Sequence, residues 1–144
     1  MVAAGRLRVR DLIRRPPITI PKTATLLEAA DVMTKYNIGA LVVMDQAGKP
    51  VAVLSERDVV RAISMRMPLS TPVEAFMSVG LVTVDANDDV RKAAELMWVN
   101  NIRHLVVTEA GQVIGVISIR DIINPNVLGQ LCGQALREHD AHEP

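Results

Sequence analysis

The chain has 144 residues, 49% of them hydrophobic, and its 16 basic and 16 acidic side chains cancel. That length suits a single domain with a buried core, and the neutral balance with only three aromatics (Tyr36, Phe76, Trp98) argues against nucleic acid and acidic membrane surfaces as partners. The lone Cys132 cannot form an internal disulfide, which fits a cytoplasmic setting, and no apolar run nears the roughly 20 residues that span a bilayer.

Arginines 6, 8, 10, 14 and 15 open the chain with Asp11 as the only acid among them. No apolar segment follows them, so they are not a secretory signal. They read as a solvated flank, with a nucleic-acid arm or help in holding phosphate as alternatives. Ile18-Thr19-Ile20 is a short β-branched strand stopped by Pro21. Leu26, Ala29, Ala30 and Met33 recur at helical spacing, with Thr23 or Thr25 as N-cap. Ala40–Met44 and Val51–Leu54 form strands of a hairpin through Asp45-Gln46-Ala47-Gly48. A second helix opens at Ser55, and Met65 and Met67 near its end are candidates for an outer contact surface. After Leu69-Ser70-Thr71-Pro72 the order begins again. Val82-Thr83-Val84 is a strand, and Val90, Ala93, Ala94 and Met97 mark a helix capped by Asn87. Trp98 lies about 100° round that helix from Met97, either as a subunit contact or as a half-buried flank. His104–Thr108 and Val113–Ile117 make a second hairpin through Glu109-Ala110-Gly111. The helix opening at Ser118 is stopped by Asn124-Pro125. From Gln130 to Pro144 the chain is polar and reads as a frayed helix or disorder; His139 and His142 there lack the fixed geometry of a metal site.

The second half repeats the first. At an offset of 64, Val9, Thr19, Ala29, Ala30, Met33, Asn37, Ile38, Leu41, Val42 and Val43 meet identical residues. At an offset of 63, Gly48, Val53, Ser55, Arg57 and Asp58 do the same. The chain is therefore a tandem duplication, 9–68 and 73–127, followed by a tail over 128–144. The expected class is α/β (α+β), with each copy running β-α-β-β-α.

Two such copies, each ending an aliphatic strand on Ser-x-Arg-Asp, resemble a pair of CBS domains. The residues that carry the resemblance are Ile18-Thr19-Ile20, Asn37-Ile38 through Val43 and Val53–Asp58, with Val82-Thr83-Val84, Asn101–Val107 and Gly115–Asp121 in the second copy. The resemblance implies a pseudo-twofold module with two clefts between the repeats, often assembled as a disc-like homodimer. It implies ligands containing adenosine, namely AMP, ADP, ATP, S-adenosylmethionine or NADH. It also implies sensing without catalysis, with a regulated partner protein that the sequence leaves unassigned.

The residues suit that chemistry. Asp58 and Asp121 can accept from ribose hydroxyls, and Ser55 and Ser118 stand at helix starts where free N–H groups favour anions. Arg57 and Arg120 add positive charge. Ile18 and Ile38 in one copy, and Val82 and Ile102 in the other, would line an aliphatic slot for adenine. Thr19 and Thr83 are minor contacts by family position, although β-branched residues suit any strand. Arg103 and His104 replace Gly39-Ala40 of the first copy and would reach phosphate, making the clefts unequal; an exposed Arg beside a half-buried His accounts for them as well. Ser-x-x-Asp is also a capping box that needs no ligand, and the two roles are compatible. The competing hypothesis is a dimerising scaffold with empty clefts. No Walker-type loop, Gly-x-Gly-x-x-Gly, zinc spacing or nucleophile–base pair supports an enzyme.

Overall fold

The computed structural model describes residues 6–78 and 80–142, with side chains through Gly133. The chain divides into two compact units, Pro16–Val82, and Thr83 onward together with the segment up to Arg15.

In the unit of 16–82 the order is β1 (Thr19–Pro21), α1 (Leu26–Tyr36), β2 (Ala40–Met44), β3 (Pro50–Ser55) and α2 (Glu56–Ser64). The three strands form one sheet in the order β1-β2-β3. β1 is parallel to β2, with Thr19 opposite Val42, because α1 carries the chain back before β2 begins. β2 and β3 are an antiparallel hairpin that sets Ala40 opposite Ser55. Each β1-type strand starts one residue later than expected, so Ile18 and Val82 lie just before their strands.

Thr25 is the cap of α1, accepting from the Glu28 N–H at 3.1 Å. Asn37 ends the helix in the left-handed region at φ 51, a conformation asparagine tolerates better than most residues. That stop lets the Ile38 N–H donate to the Met33 carbonyl at 3.0 Å and brings Ile38 against the core. The core joins Ile20, Leu41, Val43, Ala52 and Leu54 of the sheet to Leu26, Ala29, Met33, Val59 and Ala62 of the helices. Val73, in a 3-10 turn over Val73–Ala75, completes it and donates to the Ala24 carbonyl at 2.7 Å. Met65 is exposed, and Met67 is half-buried with its inner side packed on this core.

The other unit repeats the plan with β4 (Thr83–Asp85), α3 (Val90–Asn100), β5 (His104–Glu109), β6 (Gln112–Ser118) and α4 (Ile119–Ile122). Its sheet runs β4-β5-β6, and His104 lies opposite Ser118. Asn101 ends α3 at φ 52, as Asn37 ends α1. The cap of α3 is Asp89 rather than Asn87; its carboxylate accepts from the Arg91 N–H at 2.9 Å. Burial alone would raise the Asp89 pKa, but the Arg91 N–H, the Arg91 guanidinium and Arg6 outweigh it and hold the carboxyl below its ordinary value.

The opening segment belongs to this unit. Val9 and Leu12, in a 3-10 turn over Val9–Leu12, are buried, and the Val9 and Arg10 N–H groups donate to the Asp88 and Ala86 carbonyls at 2.9 Å each. Ile13 lies on Gly115, where an added Cβ would stand 2.9 Å from it, so only glycine fits without displacement. The arginines are not a merely solvated flank: Arg6 pairs with Asp89 at 3.3 Å, Arg10 with Glu109, and Arg14 stands 3.9 Å from Asp121. They fasten the segment to acids of the unit that receives it. The position equivalent to Val9 in the repeat is Val73, so each unit is finished by the segment that precedes the other's first strand.

α4 makes a single turn. Pro125 then begins α5 (Pro125–His142), as proline at a first helical position can, while the Asn124 side chain accepts from the Asn126 N–H at 2.9 Å. The stretch expected to fray or to lack structure is thus helical as far as His142. The side chains of His139 and His142 lie outside those described, as do residues 143–144.

Candidate functional site

The two Ser-x-x-Asp motifs form real capping boxes at the starts of α2 and α4. Ser55 ends β3 and Ser118 ends β6, so a rigid hairpin edge aims each motif. In the first unit, Oδ2 of Asp58 accepts from the Ser55 N–H at 2.9 Å and from its hydroxyl at 3.1 Å. In the second, Oδ2 of Asp121 accepts from the Ser118 N–H at 2.8 Å and its hydroxyl at 3.3 Å. One carboxylate oxygen is therefore committed to the fold in each unit. Capping leaves the second oxygen of each carboxylate outside the cap.

The outward oxygens have different company. Oδ1 of Asp58 accepts from the Ser78 hydroxyl at 3.3 Å, with Arg61 of the same helix 3.6 Å away, and the Asp58 side chain is only 5% exposed. Oδ1 of Asp121 faces Arg14 at 3.9 Å, and its side chain is 19% exposed. Ser78 was not among the expected site residues, and Arg14 entered only as one of the opening arginines, with help in holding phosphate as an alternative. The repeat offset of 64 equates them, but only the docking of each segment on its unit shows that this position meets the aspartate.

The helix starts are less open to anions than their positions suggest. The first N–H of α2, from Glu56, donates to the Gly39 carbonyl at 3.0 Å, and that of α4, from Ile119, to the Arg103 carbonyl at 2.8 Å. The Asp58 N–H is directed at the Ser55 hydroxyl. Positive charge must then come from side chains. Arg57, Arg103 and Arg120 are exposed, Arg57 and Arg120 each one residue before an aspartate and Arg103 just before β5. His104 is half-buried, on the same sheet face as Ser118 by strand register.

Thr19 and Thr83 are exposed strand positions opposite Val42 and Val106. By register, Thr19 shares a face with Ser55 in its unit, and Thr83 with Ser118 and His104 in the other. Ile18 and Ile38 are half-buried against the core of their unit, and Val82 and Ile102 are half-buried. Among the described residues, no three potential ligating side chains gather to hold a metal, and no helix is long and apolar enough to cross a membrane.

Known proteins share this fold. The CBS domain family matches twice, over residues 9–65 and 73–125. A 17.7 kDa protein of Acidianus ambivalens is 36% identical over 116 residues, covering 80% of this chain and 70% of that protein. Among solved structures, a CBS domain protein from Pyrobaculum aerophilum complexed with AMP has a TM-score of 0.81 and 38% identity, covering 88% of this chain and 99% of that one. The CBS domain pair of protein MJ0100, in complex with 5-methylthioadenosine and S-adenosyl-L-methionine, has a TM-score of 0.77 and 26% identity, covering 86% and 97%.

Proposed function

Because the chain belongs to the CBS domain family, we propose that it is a regulatory module that binds an adenosine-containing ligand and signals by a change of conformation. The observation that carries this reading is the division of labour in the aspartates. Each caps its helix through Oδ2 and turns Oδ1 away from the cap, where it can accept from ribose hydroxyls. The relatives crystallised with AMP and with S-adenosyl-L-methionine support the ligand class. AMP, ADP, ATP and S-adenosylmethionine are the candidates for this chain.

In this reading Ile18 and Ile38, or Val82 and Ile102, meet the base, and Thr19 and Thr83 lie beside it. Exposed Arg57, Arg103 and Arg120, with His104, supply charge toward phosphate. The ligand is bound and released unchanged, so the output is structural. A conformational signal requires that the ligand bind one arrangement of the module more tightly than another.

A thermal-shift panel with AMP, ADP, ATP, S-adenosylmethionine, NADH and GTP tests the proposal. A ligand at about 100 times its dissociation constant adds roughly 2.7 kcal/mol, which moves the midpoint of a domain this size by several degrees. Upward shifts confined to adenosine compounds support sensing. The absence of any shift would leave the dimerising scaffold as the better account.

Pairing with a second copy has its own support. Trp98 is 87% exposed and Val99 beside it on α3 is also exposed, an uneconomical surface for a lone chain. Analytical ultracentrifugation of the wild type should give a dimer, and Trp98→Lys should shift it toward monomer. A wild type that sediments as a monomer at tens of micromolar would refute the pairing.

A further inference from the structure

Asp58 and Asp121 are equivalent in sequence but not in what meets their outward oxygens. In the unit of 16–82, the Ser78 hydroxyl stands 3.3 Å from Oδ1 of Asp58 and Arg61 stands at 3.6 Å. A carboxylate oxygen has two lone pairs for acceptance, and here the Ser78 hydroxyl occupies one, while Arg61 is an ion-pair contact beyond hydrogen-bond range. In the other unit, the position of Ser78 is taken by Arg14, whose Nε lies 3.9 Å from Oδ1 of Asp121. That separation is an ion pair but too long for a hydrogen bond. Among the described residues, Oδ1 of Asp121 has no hydrogen-bond donor.

The surroundings reinforce the contrast. The Arg14 side chain is 69% exposed, and a single ion pair of that exposure holds its partner weakly. The guanidinium can therefore swing from the carboxylate to a second anion nearby without a large loss. Asp58 is only 5% exposed, its Oδ1 accepts from Ser78, and the cation that faces it, Arg61, comes from its own helix rather than from the docked segment.

From this juxtaposition we infer that the two carboxylates have separate jobs: Asp121 accepts the ligand's hydroxyls, Arg14 selects a ligand that carries phosphate, and Ser78 reserves Asp58 for the fold. The inference rests on the reading of these aspartates as ribose acceptors and adds which one works and what it prefers. A guanidinium suits the task because it offers several donors in a plane, and its bonds to phosphate are charge-assisted. A serine in the same place offers one neutral hydroxyl, which is spent on Asp58.

Calorimetric titration of the full chain with AMP and with adenosine tests this, using Arg14→Ser, Asp121→Asn and Asp58→Asn. Asparagine retains an oxygen for the helix cap, and a thermal melt of each variant reports whether the fold survives. The wild type should bind AMP more tightly than adenosine. Arg14→Ser should weaken AMP by about tenfold or more while leaving adenosine nearly unchanged, the loss expected for a charge-assisted contact. Arg14→Lys should restore part of the preference. Asp121→Asn should abolish binding of both compounds, and Asp58→Asn should weaken both by far less. If Asp58→Asn abolishes binding and Asp121→Asn does not, the assignment of the working carboxylate is overturned and the ribose reading stands. If neither variant alters binding, or the wild type binds neither compound, the ribose reading itself fails. Equal weakening of AMP and adenosine in Arg14→Ser would make Arg14 a structural tether only.

Discussion

An aspartate that caps a helix with one oxygen has only the other left for anything else, and the cost of removing it depends on how both are engaged. Asp58 and Asp121 cap in the same way, yet Asp58 is also buried and joined to Ser78. Asp58→Ala should therefore cost about 2–3 kcal/mol, against about 1 kcal/mol for Asp121→Ala, since the first also removes a buried carboxylate and its Ser78 contact. Urea titrations of the two variants measure the difference; equal losses would mean that the Ser78 contact adds nothing. Asp89 makes a pH prediction. Its folded pKa lies below the ordinary value, so its contribution to stability is full above the unfolded pKa and is lost as pH falls through the folded one. Asp89→Asn should lower stability at neutral pH and flatten the acid limb of a stability-against-pH curve, so that the difference from the wild type closes as pH falls through the folded pKa. A curve that stays parallel to the wild type would remove Asp89 from the account. The sequence held the signal for this cap, because Asp89 directly precedes Val90, the first residue of the apolar stripe. Asn87 is instead a turn residue whose N–H donates to Asp85 at 2.8 Å and whose side chain accepts from Arg10 at 2.8 Å. That second contact is long-range, and no local pattern announces it.

Elements with strong periodicity were legible, as was the short helix between Ser118 and Asn124-Pro125, and those set by docking were not. Leu26, Ala29 and Met33, and Val90, Ala93 and Met97, are buried as their spacing requires. The shared Asn37-Ile38 and Asn101-Ile102 carried the family resemblance, and the structure gives them a mechanical role: a left-handed stop, then an N–H returned to the helix. α5 was half legible: the tail read as a frayed helix or disorder, and the start that decides for helix is Pro125 with the Asn124 side chain ahead of it. The turn of the second hairpin suggests an improvement. Ala110 and Gly111 both have positive φ, 49 and 78, between the paired Glu109 and Gln112. That geometry favours Asn-Gly, and alanine is a poor occupant of the left-handed region. Ala110→Asn should raise stability by about 0.5–1 kcal/mol, read as a higher urea midpoint at unchanged slope. A lower midpoint would show that the turn relaxes around alanine at no cost.

At the scale of the whole chain, duplication is plain in the sequence, but the exchange of opening segments is not. Alignment orders the residues of a repeat without saying which unit a segment docks on. The 3-10 turns carrying Val9 and Val73 each finish a unit made mostly from the other repeat. The outward oxygens of Asp58 and Asp121 acquire Ser78 and Arg14 by the same exchange. Two forces could hold the opening segment. Arg6 and Arg10 make ion pairs whose side chains are substantially exposed, and such pairs contribute about 0–1 kcal/mol each. Val9 is fully buried and Leu12 nearly so, and truncating a buried aliphatic side chain costs about 2 kcal/mol or more through lost transfer energy and the cavity left behind. Apolar burial should therefore dominate, with the arginines setting register. Val9→Ala should destabilise the full chain by about 2 kcal/mol and Arg10→Ala by less than about 1 kcal/mol. Sodium chloride at 1 M should leave the Val9→Ala deficit intact while shrinking that of Arg10→Ala, because screening acts on the exposed pairs alone. An Arg10→Ala loss that equals or exceeds that of Val9→Ala would make the exchange electrostatic, and its hold on Arg14 would then vary with ionic strength.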